Sequence, residues 1–340
     1  MRHAIPKDAL AAIPYLNVSA IGSFTVWAQP LWDGQKFRQW FFDGSQMVEA
    51  QMPGWIEGMY FAEAKANPTD AYILFVDALV RFASAPGTSH WYAGIVDDVR
   101  NICAALWRSQ FLANEVPTQH VLMDLVACEY EFILGLCRSL FDCLQEAIST
   151  LWSHVMLTDP REQARKRALP KSFAAMCLHG EEPLEPDALV TKYAIPIELA
   201  TAYHQAAVPF AALRRERDDI THRGHRAPTV FLSPHGPGID VSPTVHIVHW
   251  EPEELLPNNI GSFCSFLAKI VYLTLDLCDK VTLAYFAKIA IPEPMVRTPF
   301  KIFYRSPVSA VLNQIDVVRN GAAWPTFDLA VTGTSIQHAH

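Results

Sequence analysis

Charge is scarce in this sequence: Asp, Glu, Lys and Arg make up only 18% of its 340 residues, while 51% are hydrophobic. So little charge excludes a disordered polyampholyte, and the apolar half suffices to bury one or two sizeable cores. The length points to two domains. The seven cysteines, Cys103, Cys128, Cys137, Cys143, Cys177, Cys264 and Cys278, form no Cys-x-x-Cys pair. That removes the zinc-ribbon and dithiol-redox classes. Most sit in apolar helical runs, where reduced, buried thiols of a cytoplasmic protein are expected. No internal repeat, low-complexity tract, glycine-rich phosphate loop or Gly-x-Ser-x-Gly elbow is found. The sequence therefore calls for no cofactor.

Membrane signals are missing as well. Arg2 and Lys7 precede an apolar stretch that Pro14 and Asn17 interrupt, so no secretory leader is expected. The most apolar segment, 260–286, is broken by Lys269, Asp276, Asp279 and Lys280, too often for a bilayer span. The expectation is a soluble cytoplasmic protein with no membrane association.

What is present divides into three parts. Residues 1–115 are aromatic-rich, with Trp27, Trp32, Trp40, Trp55, Trp91 and Trp107, and carry no recognisable catalytic motif. Aromatic alternation in 27–42 around an Asp33-Gly34 turn suggests some strand, and 70–83 and 91–112 read as helices. From about Pro117 one apolar stripe runs through Leu122, Ile133, Cys137, Leu144, Leu151 and Val155, predicting a helix of about 38 residues. A second stripe follows Pro196, through Leu199, Tyr203, Ala206, Phe210 and Leu213. Pro209 is expected to kink it or start a new helix, and Gly224 to cap it. Strands are expected at 229–233 and 244–250, then a buried helix capped by Asn259, with short strands and loops from about 291 onward. The predicted class is mainly α: a long-helix bundle at 116–292 with a small β insertion near 227–250, an aromatic-rich N-terminal region, and a C-terminal part at 293–340.

The formal net charge is -8, which excludes a protein that coats phosphate polymers non-specifically. The basic residues are nevertheless concentrated. Arg161, Arg165, Lys166, Arg167 and Lys171 fall in one short segment; Arg214, Arg215, Arg217, Arg223 and Arg226 fall in another. With Glu162, Glu216, Asp218 and Asp219 the two segments sum to +6, leaving -14 elsewhere. One concentrated positive patch on an acidic body predicts a phosphate-bearing ligand. Solvated helix ends, where Arg complements the dipole, are the competing explanation.

Within the second segment, Arg217 continues the apolar face set by Phe210 and Leu213. Glu129 is the matching charge on the first long helix, so an inter-helix Glu129–Arg217 ion pair is a structural candidate. His222 follows five residues after Arg217, near the helix C-terminus, where the imidazolium is favoured. A fixed guanidinium beside a proton-carrying imidazole suits phosphodiester chemistry, the one stabilising anionic charge and the other acting as acid or base. A metal site built from His222, His225, His235, His246 and His249 with Asp218 or Asp219 is a looser alternative.

The run Arg217-Asp218 to His222 at a helix end, between two long helices, resembles the HEPN superfamily over roughly residues 117–290. The resemblance implies a helical domain and a metal-independent endoribonuclease. Arg217 and His222 would be its catalytic pair and Asp218 the supporting polar residue, at the cleft of a homodimer. Arg214, Arg215, Arg223, Arg226, Arg165, Lys166 and Arg167 would then bind single-stranded RNA. It equally accommodates a non-catalytic nucleotide-binding or assembly module of a toxin-like stress or defence system, with an antitoxin or assembly partner.

Overall fold

The computed structural model describes residues 5–21, 29–52, 56, 58–83, 87, 89–115, 121–222, 228–233, 235–244, 247–291 and 293–305. Along the chain, strands β1 (Leu31–Trp32), β2 (Phe37–Phe42), β3 (Met47–Gln51) and β4 (Gly58–Ala62) precede helices α1 (Leu74–Val80), α2 (Ser89–Glu115) and α3 (Val121–Trp152). Strand β5 (Met156–Leu157), helices α4 (Pro160–Arg165) and α5 (Phe173–Cys177), and the ribbon β6 (Leu178–His179) and β7 (Glu182–Pro183) follow. Then come α6 (Pro186–Tyr193), α7 (Ile197–His222), β8 (Val230–Ser233), β9 (Gly236–Asp240), β10 (Ile260–Ser262), α8 (Phe263–Phe286), β11 (Ile289–Ala290) and β12 (Lys301–Arg305).

This is a mixed α/β protein, 52% helix and 17% strand, and not the mainly α bundle expected from sequence. The finding that overturns that class is a five-stranded sheet ordered β12-β4-β1-β2-β3, with β1 parallel to β4 and the other pairings antiparallel. Strands of two to six residues are too short for the two-residue period to register against the long helical stripes. Their pairing is also distant in sequence, since Ile302 lies opposite Phe61. The Asp33-Gly34 signal does mark a turn between β1 and β2. Gly34 takes φ +96°, and Asp33 Oδ1 accepts from the Gln35 and Lys36 amides, both at 2.9 Å.

The long helices form where the apolar spacing places them, with adjusted ends. α3 has 32 residues and buries Ile133, Cys137, Leu140, Leu144, Ile148 and Leu151 along one face. α2 runs antiparallel to it, because Gly94 faces Cys143 while Arg108 reaches Glu129. α7 continues through Pro209 as a single helix of 26 residues and buries Tyr203, Ala206, Phe210 and Leu213. Phe141, Phe173 and Phe210 meet between α3, α5 and α7 with ring centroids 4.9–5.5 Å apart. α8 packs against both α3 and α7. One continuous hydrophobic cluster extends from Leu10 to Tyr304 and joins these helices to the sheet.

Two local expectations are corrected. Residues 244–250 hold no strand among those described: a 3-10 turn spans Ser242–Thr244, and the Trp250 indole donates to Thr244 Oγ1 at 3.4 Å. The strand beside β8 is β9, whose Gly236-Pro237-Gly238 start disguised it. The cap of α8 is Ser262, which accepts from Ser265 N at 3.2 Å; Asn259 lies before β10 with φ 57°. Gly261 is required there, since a Cβ would come within 2.6 Å of Val241 and 2.9 Å of Trp250.

Candidate functional site

The last turns of α7 lie along the middle of α3. Three guanidiniums converge there on the Asp218 carboxylate. Arg217 Nη1 donates to Oδ1 at 3.2 Å, Arg214 Nε stands 3.7 Å from Oδ2, and Arg138 Nη1 reaches across from α3 to within 3.8 Å of Oδ1. Arg138 also stands 3.9 Å from Asp142, its neighbour one turn along α3. All four side chains of the Asp218 cluster are about one-third exposed. Each guanidinium offers five N–H donors, whereas a carboxylate accepts about four hydrogen bonds. Only the Arg217 contact is close enough to be one. The site is therefore rich in unspent donors rather than in net charge, the complement of an acceptor-rich oxyanion.

Arg217 also walls a groove of about 450 Å³ between α3 and α7, together with Glu131, Phe132, Gly135, Leu136 and Ile220. The two helices are also joined by the Tyr130 hydroxyl, which donates to Glu216 Oε1 at 3.1 Å. Burial and the neighbouring Glu216 carboxylate push the Tyr130 phenol far above its ordinary pKa, so it stays a donor. Arg138, Tyr130 and the groove escaped sequence reading. The one available signal was the Arg138–Asp142 spacing of four, a surface helix pair.

The expected Glu129–Arg217 ion pair is not formed. Glu129 instead takes a two-pronged bond from Arg108 of α2, at 2.9 and 3.0 Å. The reason is geometric: Glu129 faces the α2 side of α3, whereas Arg217 finds Asp218 on its own helix. Asp218, given the supporting role in the motif reading, lies 3.2 Å from Arg217 Nη1. His222 is the last residue of α7; its side chain, and Arg223, His225 and Arg226 entirely, lie outside the described residues. Arg215 is exposed on α7.

Arg165, Lys166 and Arg167 of the other basic segment are not part of this site. The Trp152 indole donates to Arg167 O at 2.8 Å, which fixes that segment at the C-terminal end of α3. Arg138 and Trp152 are thereby separated by about 21 Å along the helix, at 1.5 Å per residue. Lys166 lies 4.9 Å over the Trp152 ring and donates to Val155 O; burial pulls its pKa down. Arg167 donates to the last carbonyls of α6, Lys192 O at 3.2 Å and Thr191 O at 3.4 Å. Arg165 donates to Arg161 O at 3.3 Å and, with Arg167 and Glu162, lines a second cavity of about 340 Å³. Arg165, Lys166 and Arg167 are accordingly set apart from the Asp218 cluster, while the far end of their segment returns to α3, where Phe173 N donates to Asp142 Oδ1 at 3.0 Å.

Comparison with family models, with curated proteins and with solved structures returned no match. The HEPN resemblance thus rests on the segment Arg217 to His222 and its helical setting.

Among the described residues, no group of three or more His, Cys, Asp or Glu side chains is placed to share a metal ion. Of the histidines weighed for such a site, His249 Nε2 lies 3.0 Å from Glu251 Oε1, His235 is exposed, and His225 and His246 are outside the described set. The seven cysteines form no disulfide; Cys128 is exposed, Cys143 half-buried and the other five buried. No described helix is long and apolar enough to cross a membrane.

Proposed function

We propose that the α3–α7 face binds single-stranded RNA through its phosphates and cleaves it without a metal ion. The observation that supports this is the convergence of Arg138, Arg214 and Arg217 on one half-exposed carboxylate, close before the helix end that bears His222. Arg217 holds a non-bridging phosphate oxygen and stabilises the charge that builds on it; Asp218 keeps that guanidinium in position. The ribose 2′-hydroxyl attacks phosphorus, and His222 takes its proton. The 5′-oxygen leaves with a proton, giving a 2′,3′-cyclic phosphate and a 5′-hydroxyl end. In a homodimer, the second copy of His222 supplies that proton.

The test is cleavage of a labelled single-stranded RNA in excess EDTA, with the ends identified by mass. Wild type yields cyclic phosphates, and His222→Ala loses the products while retaining RNA binding. Activity that persists unchanged in His222→Ala overturns the assignment. The alternative reading is a nucleotide-binding module that does not cut. Binding that Arg217→Ala weakens, with no cleavage in wild type, selects it.

A further inference from the structure

The groove beside Arg217 combines features that packing alone does not explain. Phe132 is 43% exposed on α3, and the Arg108 guanidinium stands 5.5 Å from its ring centroid, fixing the ring from the α2 side. One turn on, Gly135 lies within the continuous α3, yet a Cβ built there meets no atom within 4 Å. Glycine inside a helix costs roughly 1 kcal/mol relative to alanine. Here no close backbone approach demands it, so what it does is leave the groove floor open. Glu131, also in the lining, is exposed and makes no hydrogen bond or ion pair among the described residues. The volume of about 450 Å³ lies in the range of small-ligand sites.

Resting on the reading that the Arg217 cluster holds a phosphate, we infer that this groove is a base-recognition pocket, selective for guanine, for a nucleotide whose phosphate lies at Arg217. The exposed ring offers a stacking surface, which every base can use. Selectivity comes from Glu131. An ionised carboxylate only accepts hydrogen bonds, through two oxygens side by side. Guanine alone among the four RNA bases presents two adjacent donors on one edge, its N1–H and the 2-amino group. Adenine and cytosine offer a single amino group, and uracil a single N–H between two carbonyls that the carboxylate repels.

The experiment measures binding of GMP, AMP and inorganic phosphate to the full-length chain by calorimetry. GMP is expected to bind about tenfold more tightly than AMP, and both more tightly than phosphate. Glu131→Gln abolishes the preference for GMP and leaves phosphate binding unchanged. Phe132→Leu weakens both nucleotides roughly tenfold, the loss of one stacked base. Gly135→Leu places its side chain from a Cβ that meets no atom within 4 Å; it is expected to fold, which a melting curve checks, and to lose nucleotide but not phosphate binding. Equal affinity for GMP, AMP and phosphate overturns the pocket while phosphate recognition at Arg217 survives. Nucleotide binding that Gly135→Leu leaves intact overturns it too. If Gly135→Leu instead lowers the sedimentation mass with no change in GMP affinity, the groove seats a second copy, and the pocket is again refuted. GMP binding in a chain that cuts no RNA supports the pocket and refutes the cleavage reading alone.

Discussion

The two basic segments are nearly alike in composition and opposite in use. Around Arg165, Lys166 and Arg167 the cationic side chains donate to main-chain carbonyls or lie over an indole ring, although only Lys166 is half-buried and both arginines are exposed. Around Arg214 and Arg217 they meet a carboxylate on an exposed face and keep most of their donors. A cation that satisfies helix-end carbonyls is spent on the fold. One held by a half-exposed ion pair contributes little to stability and stays available for a ligand. Local charge counting cannot separate these cases; the acceptor each donor finds does.

Substitutions that exchange the two roles test this contrast. The largest effect is expected at Trp152, which is 1% exposed and anchors the first segment. Trp152→Ala should lower the unfolding free energy by about 3–5 kcal/mol in urea titrations, with RNA affinity per folded molecule unchanged. Next comes Arg217→Ala, which should weaken RNA binding by roughly 10- to 100-fold, the worth of one charge-assisted bond, and leave stability within about 0.5 kcal/mol. It should also reduce the slope of log affinity against log salt by about 0.7, whereas Arg167→Ala should leave that slope alone. The two variants are compared by fluorescence anisotropy across a salt series. An Arg167→Ala chain with the binding defect of Arg217→Ala would erase the distinction. The smallest effect concerns Lys166. Its pKa is lowered in the folded chain by burial, so the unfolded chain holds more protons between the two values. Stability should therefore rise as pH climbs towards the ordinary lysine value near about 10.4, and Lys166→Met should flatten that rise.

The sequence was informative wherever a long period could accumulate. The faces of α3 and α7 followed from apolar residues three and four apart, and Asp218 beside Arg217 from simple adjacency. It was silent where the determinant is a distant partner. Nothing near Phe61 announces Ile302, and nothing near Asp218 announces Arg138. Glu129 shows the same failure in a sharper form: its burial beside other chains of the helix was readable, but which neighbour faces it depends on how α2 folds back. The strand expected at 244–250 is replaced, among the described residues, by a 3-10 turn at Ser242–Thr244, with Ile247, Val248 and Trp250 buried outside any strand.

The pairing of β4 with β12 sets an order of events during synthesis. Residues 58–62 leave the ribosome long before residues 301–305, their antiparallel neighbours. The Ala71 amide likewise waits for Tyr304 O, and the Asp77 carboxylate for the Ile302 amide, 2.9 Å away in the finished fold. Until then the growing chain carries a strand edge with open hydrogen bonds and a buried-type carboxylate still in water. The helical body can assemble while this seam stands open, and the last described strand closes it.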